Sequence, residues 1–154
     1  MTETSLIEGT KAPDFTLPGS DKNSHYLSDY KWKKVILYFY PKDNTSGCSI
    51  EAEAFRDNNQ VLQLKNTIIL GVSRDSLTSH VKFIDKLNLP FVLLADTDEI
   101  VCNLYQVIKE KSMYGRKFIG IERSTFLIDE QGILLKIFRK VKIKGHIDSI
   151  LNLI

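Results

Sequence analysis

The stretch Tyr38-Phe39-Tyr40-Pro41-Lys42-Asp43-Asn44-Thr45-Ser46-Gly47-Cys48 leads from an apolar strand through a polar loop to a cysteine. Asp, Asn, Thr, Ser and Gly are common just before helices, so the pattern predicts that Cys48 lies at a helix start. Unpaired backbone N–H groups and the positive end of the helix dipole favour a thiolate there. The stretch therefore indicates a nucleophilic cysteine, with an ordinary buried cysteine as the alternative.

Strand and helix patterns alternate on both sides of this stretch. Segments rich in β-branched, aromatic or other apolar residues predict strands over residues 12–17, 35–40, 67–73, 91–95, 125–128 and 132–138, the last two forming a hairpin. Helical patterns cover residues 48–65, 77–87 after an N-cap at Ser76, 98–107 and 145–153. This order predicts an α/β fold with a central mixed β-sheet flanked by helices on both faces. Cys48 then lies beyond the carboxyl end of a strand, where active sites of open sheets are found.

Composition narrows the class of protein. A chain of 154 residues with 43% hydrophobic residues fits one domain over 1–154. A net charge of +2 argues against nucleic-acid or membrane-surface binding, and the longest apolar run, residues 35–40, is far shorter than the roughly 20 residues of a membrane span. Residues 1–8 lack the pattern of a secretory signal, and two cysteines cannot form a disulfide framework. We therefore expect a soluble cytoplasmic protein.

Two residues of the loop have both structural and chemical interpretations. Thr45 precedes Cys48 by three residues, so its hydroxyl could hydrogen-bond the sulfur or a substrate oxygen, or could cap the helix. Pro41 needs no ladder donor and could simply end the strand.

A family resemblance favours the chemical interpretation. Pro41-x-x-x-Thr45-x-x-Cys48 resembles the active-site signature of the peroxiredoxins, and the longer stretch with Glu51-Ala52 is similar to their bacterioferritin comigratory protein branch, also called PrxQ. Ala12-Pro-Asp-Phe-Thr-Leu17, Gly71-Val-Ser-Arg-Asp75 and the segment from Met113 to Asp129 also match, in the family's order.

The resemblance implies a thioredoxin-like fold with a peroxiredoxin N-terminal extension. It implies a thiol-dependent peroxidase that reduces hydrogen peroxide and organic hydroperoxides through a sulfenic acid, in antioxidant defence. Cys48 matches the peroxidatic cysteine, Thr45 the threonine that contacts thiolate and peroxide, and Pro41 the proline that shields the sulfur. Arg123 matches the active-site arginine, whose guanidinium would stabilise the thiolate and the charge on the departing oxygen.

The same resemblance implies no cofactor and no metal, because the sulfur performs the redox chemistry. The expected partners are a peroxide and a reductant, either thioredoxin or another small thiol or dithiol, with the chain a monomer or weak homodimer. His25, His80 and His146 lack metal-ligand spacing, so we expect surface or locally hydrogen-bonded groups. Arg116 and Arg139 are expected to be solvated surface charges.

The second cysteine departs from the family pattern. Many relatives carry a resolving cysteine five residues after the peroxidatic one, and that position is Glu53 here; others carry it on the helix that we predict over residues 77–87, which has none. Cys102 lies on the next predicted helix, on the face opposite its apolar arc, and could be accessible. A non-catalytic thiol is the favoured interpretation, and a resolving cysteine is the alternative.

Three other functions use the same features. A thiol–disulfide oxidoreductase would normally carry Cys-x-x-Cys, but residue 51 is Glu. A Cys–His hydrolase would need a histidine partner that no motif specifies. A non-catalytic thioredoxin-like binding module would not need Pro41, Thr45, Cys48 and Arg123 together.

Overall fold

The computed structural model describes residues 6–154. Residues 1–5, which belong to the predicted domain and to the N-terminal segment that lacks a secretory-signal pattern, lie outside the described residues. Within them the strands are β1 (Thr16–Pro18), β2 (Ser24–Tyr26), β3 (Lys34–Phe39), β4 (Thr67–Ser73), β5 (Val92–Ala95), β6 (Ile108–Met113), β7 (Arg116–Ile121), β8 (Ser124–Ile128) and β9 (Leu134–Phe138). The α-helices are α1 (Ser46–Asp57), α2 (Asn59–Leu64), α3 (Leu77–Leu87), α4 (Ile100–Leu104) and α5 (His146–Leu151), and Leu27–Tyr30 forms a short 3-10 helix.

Five strands form the central sheet in the order β5-β4-β3-β8-β9. β3, β4 and β5 run parallel, whereas β8 is antiparallel to β3 and β9 is antiparallel to β8. The sheet is therefore mixed, and the predicted terminal hairpin is confirmed. β1–β2 and β6–β7 are two further hairpins outside this sheet.

The alternation of side chains along β3 divides the core into two clusters. Val35, Leu37 and Phe39 belong to a cluster that includes the buried residues of α4. Ile36, Tyr38 and Tyr40 point to the opposite face, where they join the buried residues of α1, α3 and α5. Because successive strand residues face opposite sides of a sheet, the two clusters lie on opposite faces. Helices on both faces are thus confirmed.

Elements with strong local signals agree most closely with prediction. β4 spans the predicted residues, and α3 begins after Ser76, whose hydroxyl accepts a hydrogen bond from the Ser79 N–H at 3.2 Å. α3 ends at Asn88, which adopts the left-handed conformation with φ of 53°. Both ends follow the usual capping rules.

Other boundaries differ for local reasons. The helix predicted over 48–65 breaks near Asn58, whose side chain donates to the Ala54 carbonyl, and it begins at Ser46. The strand predicted over 12–17 is reduced to β1, because Pro13 has no N–H and the Asp14 carboxylate accepts from the Phe15 and Ser28 amides. The last helix is shorter than predicted and begins after Gly145.

The β6–β7 hairpin was not predicted as such. Most residues of its two strands are exposed, and charged, polar and apolar residues are mixed along them. Neither a helical nor an alternating hydrophobic pattern is therefore strong in this segment. Its turn, Tyr114–Gly115, has positive φ at both residues, as two-residue hairpin turns require. That Tyr-Gly pair was the one available sequence signal.

Across residues 6–154, helices are too short or too polar to be candidates for crossing a bilayer.

Candidate active site

The end of β3 and the start of α1 position the cysteine. Tyr40 donates its amide to the Val72 carbonyl of β4, after which Pro41 begins the loop. Thr45 is the extended residue immediately before α1, and Cys48 lies in the first helical turn. The prediction that Cys48 lies at a helix start is therefore confirmed. Its side chain is only 2% exposed and packs in the cluster that contains Tyr38, so the sulfur sits in a largely apolar setting.

Arg123 joins this helix start from a distant part of the chain. It directly precedes β8, and its carbonyl accepts a hydrogen bond from the Val141 amide. The Nη2 atom of Arg123 lies 3.5 Å from Cys48 Sγ, and Nη1 donates to Glu51 Oε1 at 2.7 Å. Burial alone would lower the pKa of Arg123, but the charges of Glu51 and Cys48 raise it above its ordinary value. The guanidinium therefore stays charged beside the sulfur.

Gly47 lets the guanidinium approach the helix so closely. A Cβ atom at this position would lie 3.3 Å from Arg123 Nη2 and 3.5 Å from Ile143 Cδ1. Any other residue would press on the group that contacts the sulfur.

Glu51 belongs to the stretch that resembles the family motif, but the sequence assigned it no role. It lies one turn after Cys48 on the same face of α1, as the i,i+3 spacing indicates. Its carboxyl is buried, and burial raises its pKa to about 7 against the opposing attraction of Arg123. Among the described residues, Glu51 Oε2 and the Tyr38 hydroxyl are buried without a hydrogen-bond partner.

Pro41 and Thr45 stand at the two ends of the loop that precedes α1. The Thr45 hydroxyl donates to the Lys42 carbonyl at 2.8 Å and is exposed, which leaves its oxygen free to accept from a small molecule. Thr45 makes no side-chain cap to the helix. Its contact with a peroxide stays a prediction, as does the shielding role of Pro41.

Two of the histidines that were expected to be surface groups or to form local hydrogen bonds, His80 and His146, are buried. His80 pairs with Asp43, Nδ1 to Oδ2, at 2.7 Å, and His146 Nε2 lies 2.8 Å from Thr125 Oγ1. Burial and then repulsion from Arg123 lower the pKa of His146 to about 4, so its ring is neutral at neutral pH. Over residues 6–154, the His, Cys, Asp and Glu side chains form no cluster of three suited to a metal ion.

Arg139 also differs from its predicted surface position. It donates to the carbonyls of Tyr105 and Gln106 and stacks over the Phe126 ring at 5.2 Å. Arg116, by contrast, is exposed on β7, as expected.

Cys102 does not face solvent, contrary to the prediction from the helical pattern. Its side chain is 0% exposed in the core of the opposite sheet face, whereas Ile100 and Leu104 point outward. α4 has only five residues, so its orientation is set by the buried Asp96, whose carboxylate accepts from the amides of Val101 and Cys102. Burial, and then the hydrogen bond and charge of Asp96, raise the pKa of the Cys102 thiol.

Comparison with known proteins agrees with this geometry. Residues 9–137 match the AhpC/TSA family. The chain is 48% identical over 148 residues to a putative peroxiredoxin bcp of Coxiella burnetii, covering 96% of this chain and 98% of the relative. It is 48% identical over 144 residues to the peroxiredoxin Bcp of Bacillus subtilis, covering 94% and 92%.

Solved structures give the same result. A crystal structure of a Xylella fastidiosa PrxQ mutant is 40% identical, with a TM-score of 0.91 over 97% of this chain and 95% of that one. A Mycobacterium tuberculosis peroxidoxin BcpB is 26% identical, with a TM-score of 0.85 over 97% and 96%. These neighbours are peroxiredoxins with the thioredoxin-like fold, which confirms the predicted fold class. The chain belongs to the AhpC/TSA family, in the Bcp or PrxQ group of peroxiredoxins.

Proposed function

We propose that Cys48 is the residue with which this thiol-dependent peroxidase attacks its peroxide. The supporting observation is the Arg123 guanidinium, which contacts Cys48 Sγ and the Glu51 carboxylate at once. The Cys48 thiolate takes the terminal oxygen of the peroxide and the O–O bond breaks. Sulfur is oxidised by two electrons to the sulfenic acid level, and the departing oxygen leaves with the peroxide's proton as water or an alcohol.

Each neighbouring residue has a place in this step. Arg123 stabilises negative charge on the sulfur before the attack and on the departing oxygen during it. The Thr45 oxygen accepts a hydrogen bond from the peroxide O–H at the exposed edge of the loop, and Pro41 limits access of water to the sulfur. The apolar surroundings of Cys48 suit organic hydroperoxides as well as hydrogen peroxide. Alkyl peroxide reduction is the activity studied in the Xanthomonas campestris bacterioferritin comigratory protein, a structure 40% identical to this chain.

The test is consumption of hydrogen peroxide or an alkyl hydroperoxide with dithiothreitol as reductant. We expect Cys48→Ser to abolish turnover, because a hydroxyl cannot replace the thiolate. Cys102→Ser should retain turnover and serves as the matched control, since its hydroxyl can still donate to Asp96. Peroxide consumption by Cys48→Ser would refute the assignment, and no consumption by the wild type would favour a non-catalytic module.

We further infer that the enzyme works with one catalytic cysteine. Cys48 and Cys102 belong to core clusters on opposite faces of the central sheet, and both are free thiols. A disulfide needs Cα atoms within about 7 Å, so an internal bridge would require at least one of the helices α1 and α4 to unwind and leave its face of the sheet. The sulfenic acid therefore condenses with an external thiol, such as thioredoxin or another small thiol or dithiol.

Mass spectrometry after one equivalent of peroxide tests this inference. We expect a sulfenic acid on Cys48, converted to a mixed disulfide when a small thiol is added. A Cys48–Cys102 bridge in the monomer would overturn it.

The remaining proposals concern the protein's setting. We place it in the cytoplasm, because both cysteines are free and the reaction consumes thiol reductant. Residues 1–154 constitute one domain that acts as a monomer or weak homodimer in antioxidant defence.

A further inference from the structure

Asp43 is a buried carboxylate in the middle of an exposed loop. Its neighbours Lys42 and Asn44 are exposed, but Asp43 is only 6% exposed and points beneath the loop. Burial of a charged group is costly unless donors satisfy it, so its partners indicate what the loop is attached to.

Three side-chain groups surround the Asp43 carboxylate. The Tyr40 hydroxyl donates to Oδ1 at 2.6 Å, the Ser79 hydroxyl donates to Oδ2 at 2.8 Å, and His80 Nδ1 lies 2.7 Å from Oδ2. Burial raises the pKa of Tyr40 well above its ordinary value, so its hydroxyl remains a donor.

The surroundings of His80 determine where its protons are. The ring is 0% exposed, and Nε2 lies 2.9 Å from the Leu94 carbonyl oxygen, which can only accept. Nε2 therefore carries a proton. Nδ1 lies 2.7 Å from Asp43 Oδ2, so one proton lies between these two atoms. With that proton on Nδ1 the ring donates from both nitrogens, which is the imidazolium form, and the two residues make a buried ion pair.

Other charged groups near the pair are consistent with this arrangement. Asp75, after β4, accepts from the Asp43 amide at 2.8 Å and from the Ser73 hydroxyl, so it is directed to donors other than His80. Lys82 and Lys86 of α3 border the small surface cavity beside Asp43, and Lys86 donates to the Asn44 side chain at 2.6 Å.

The pair connects the loop to three parts of the fold. Tyr40 follows β3, His80 belongs to α3, and the Leu94 carbonyl belongs to β5. The loop held in this way ends at Thr45, three residues before Cys48. We propose that Asp43 and His80 form a buried imidazolium–carboxylate pair that positions the loop, and through it Thr45 and Cys48, for reaction with peroxide.

The pair has opposite consequences for the two halves of the cycle. Both consequences depend on the proposed role of Cys48 as the nucleophile. A peroxide is small enough to react with a sulfur that is 2% exposed, and it benefits from a fixed loop. A thiol reductant is larger and needs the sulfur to become more exposed. Loss of the pair should therefore slow sulfenic acid formation without slowing the reaction of the sulfenic acid with thiol.

The protonation state is tested in the wild-type protein. We expect imidazole ¹⁵N NMR at pH 7 to show both His80 ring nitrogens carrying protons. His80→Asn identifies the signals. A single protonated nitrogen at His80 would overturn the proposal, and this measurement does not depend on any variant folding.

The positioning role is tested with Asp43→Asn and His80→Asn, with His25→Asn as the matched control. His25 bonds Asp21 and Tyr30, away from the loop. In rapid-quench measurements, we expect both loop variants to form sulfenic acid about 10²-fold more slowly than the wild type. Pre-oxidised variants should react with dithiothreitol at least as fast as the wild type.

Amide hydrogen exchange separates positioning from general destabilisation. Exchange should rise in residues 42–48 of the variants and stay near wild-type values in β4 and β8. Equal slowing of both chemical steps, or exchange raised throughout the sheet, would refute the positioning role. Peroxidase activity in Cys48→Ser would refute the proposed function instead and would leave the NMR and exchange results unaffected.

Discussion

At the scale of single residues, the behaviour of the site depends on how three ionisable groups, Arg123, Cys48 and Glu51, share one buried space. Arg123 touches both the sulfur of Cys48 and the carboxylate of Glu51, so a change of charge on either alters its interaction with the other. Glu51 is the titratable member near neutral pH, because burial raises its pKa to about 7. Burial of the Glu51 carboxylate lowers the stability of the folded protein when Glu51 is ionised, and such costs are common at catalytic sites.

Glu51→Gln tests this balance through the pH dependence of the free energy of unfolding. The pKa of Glu51 is raised from its ordinary value of 4.5 to about 7, so the folded protein binds the proton more tightly than the unfolded chain does. The favourable contribution is present below pH 4.5 and is lost as the pH rises through 7. A shift of this size corresponds to about 3 kcal/mol.

We therefore expect the glutamine variant to match the wild type near pH 4 and to be up to about 3 kcal/mol more stable at pH 8. Guanidinium denaturation of both proteins across this range is the measurement. Glu53→Gln, on the same helix but partly exposed, is the control and should follow the wild-type curve. A variant less stable than the wild type at pH 8 would show that the Arg123 ion pair outweighs the burial of charge.

At the scale of elements, the first turn of α1 serves both the helix and the site. Glycine is a poor helix former, yet Gly47 occupies that turn because a Cβ would meet the Arg123 guanidinium. In the short α4, too, tertiary contacts outweigh the local sequence pattern. Its buried face is chosen by Asp96 and the sheet rather than by the spacing of its apolar residues.

Gly47→Ala should separate helix stability from activity. Alanine favours the helix by at most about 1 kcal/mol, so the free energy of unfolding should stay unchanged or rise slightly. The new methyl group displaces the guanidinium by a few tenths of an ångström, so the rate of reaction with peroxide should fall about threefold to tenfold. Ser46→Ala, in the same turn and exposed, is the control for both measurements. Unchanged peroxide kinetics in Gly47→Ala would mean that the contact has no catalytic consequence.

At the scale of the whole molecule, the central sheet separates the two cysteines chemically as well as spatially. Cys48 lies at a helix start near a loop, whereas Cys102 lies in the opposite core with a thiol whose pKa is raised by burial and Asp96. We therefore expect Cys102 to become exposed only on global unfolding, whereas local motion of the loop should be enough to expose Cys48.

Alkylation by iodoacetamide checks this difference. Cys48 should be labelled under native conditions, and the labelling rate of Cys102 should increase with denaturant in step with global unfolding. Peptide mapping by mass spectrometry reads both sites in one sample. Labelling of Cys102 in the absence of denaturant at a rate near that of Cys48 would contradict the assignment of Cys102 to the closed core.

The local sequence by itself determined the elements with strong signals and the position of Cys48. β4, α3 with its caps, the β8–β9 hairpin and the helix start at Cys48 all depend on neighbouring residues, so their patterns can be recognised without the fold. The resemblance carried by the motifs supplied the family and pointed to Arg123.

Tertiary structure alone decided which groups meet. The bond from Arg123 to Glu51 spans 72 residues and the pairing of Asp43 with His80 spans 37, and no local pattern encodes contacts at such separations. The five residues of α4 likewise do not predict which of its faces is buried, because a helix of that length is oriented by the core against which it packs. That orientation places Cys102 across the sheet from Cys48, which makes an external thiol the expected partner for the second half of the cycle.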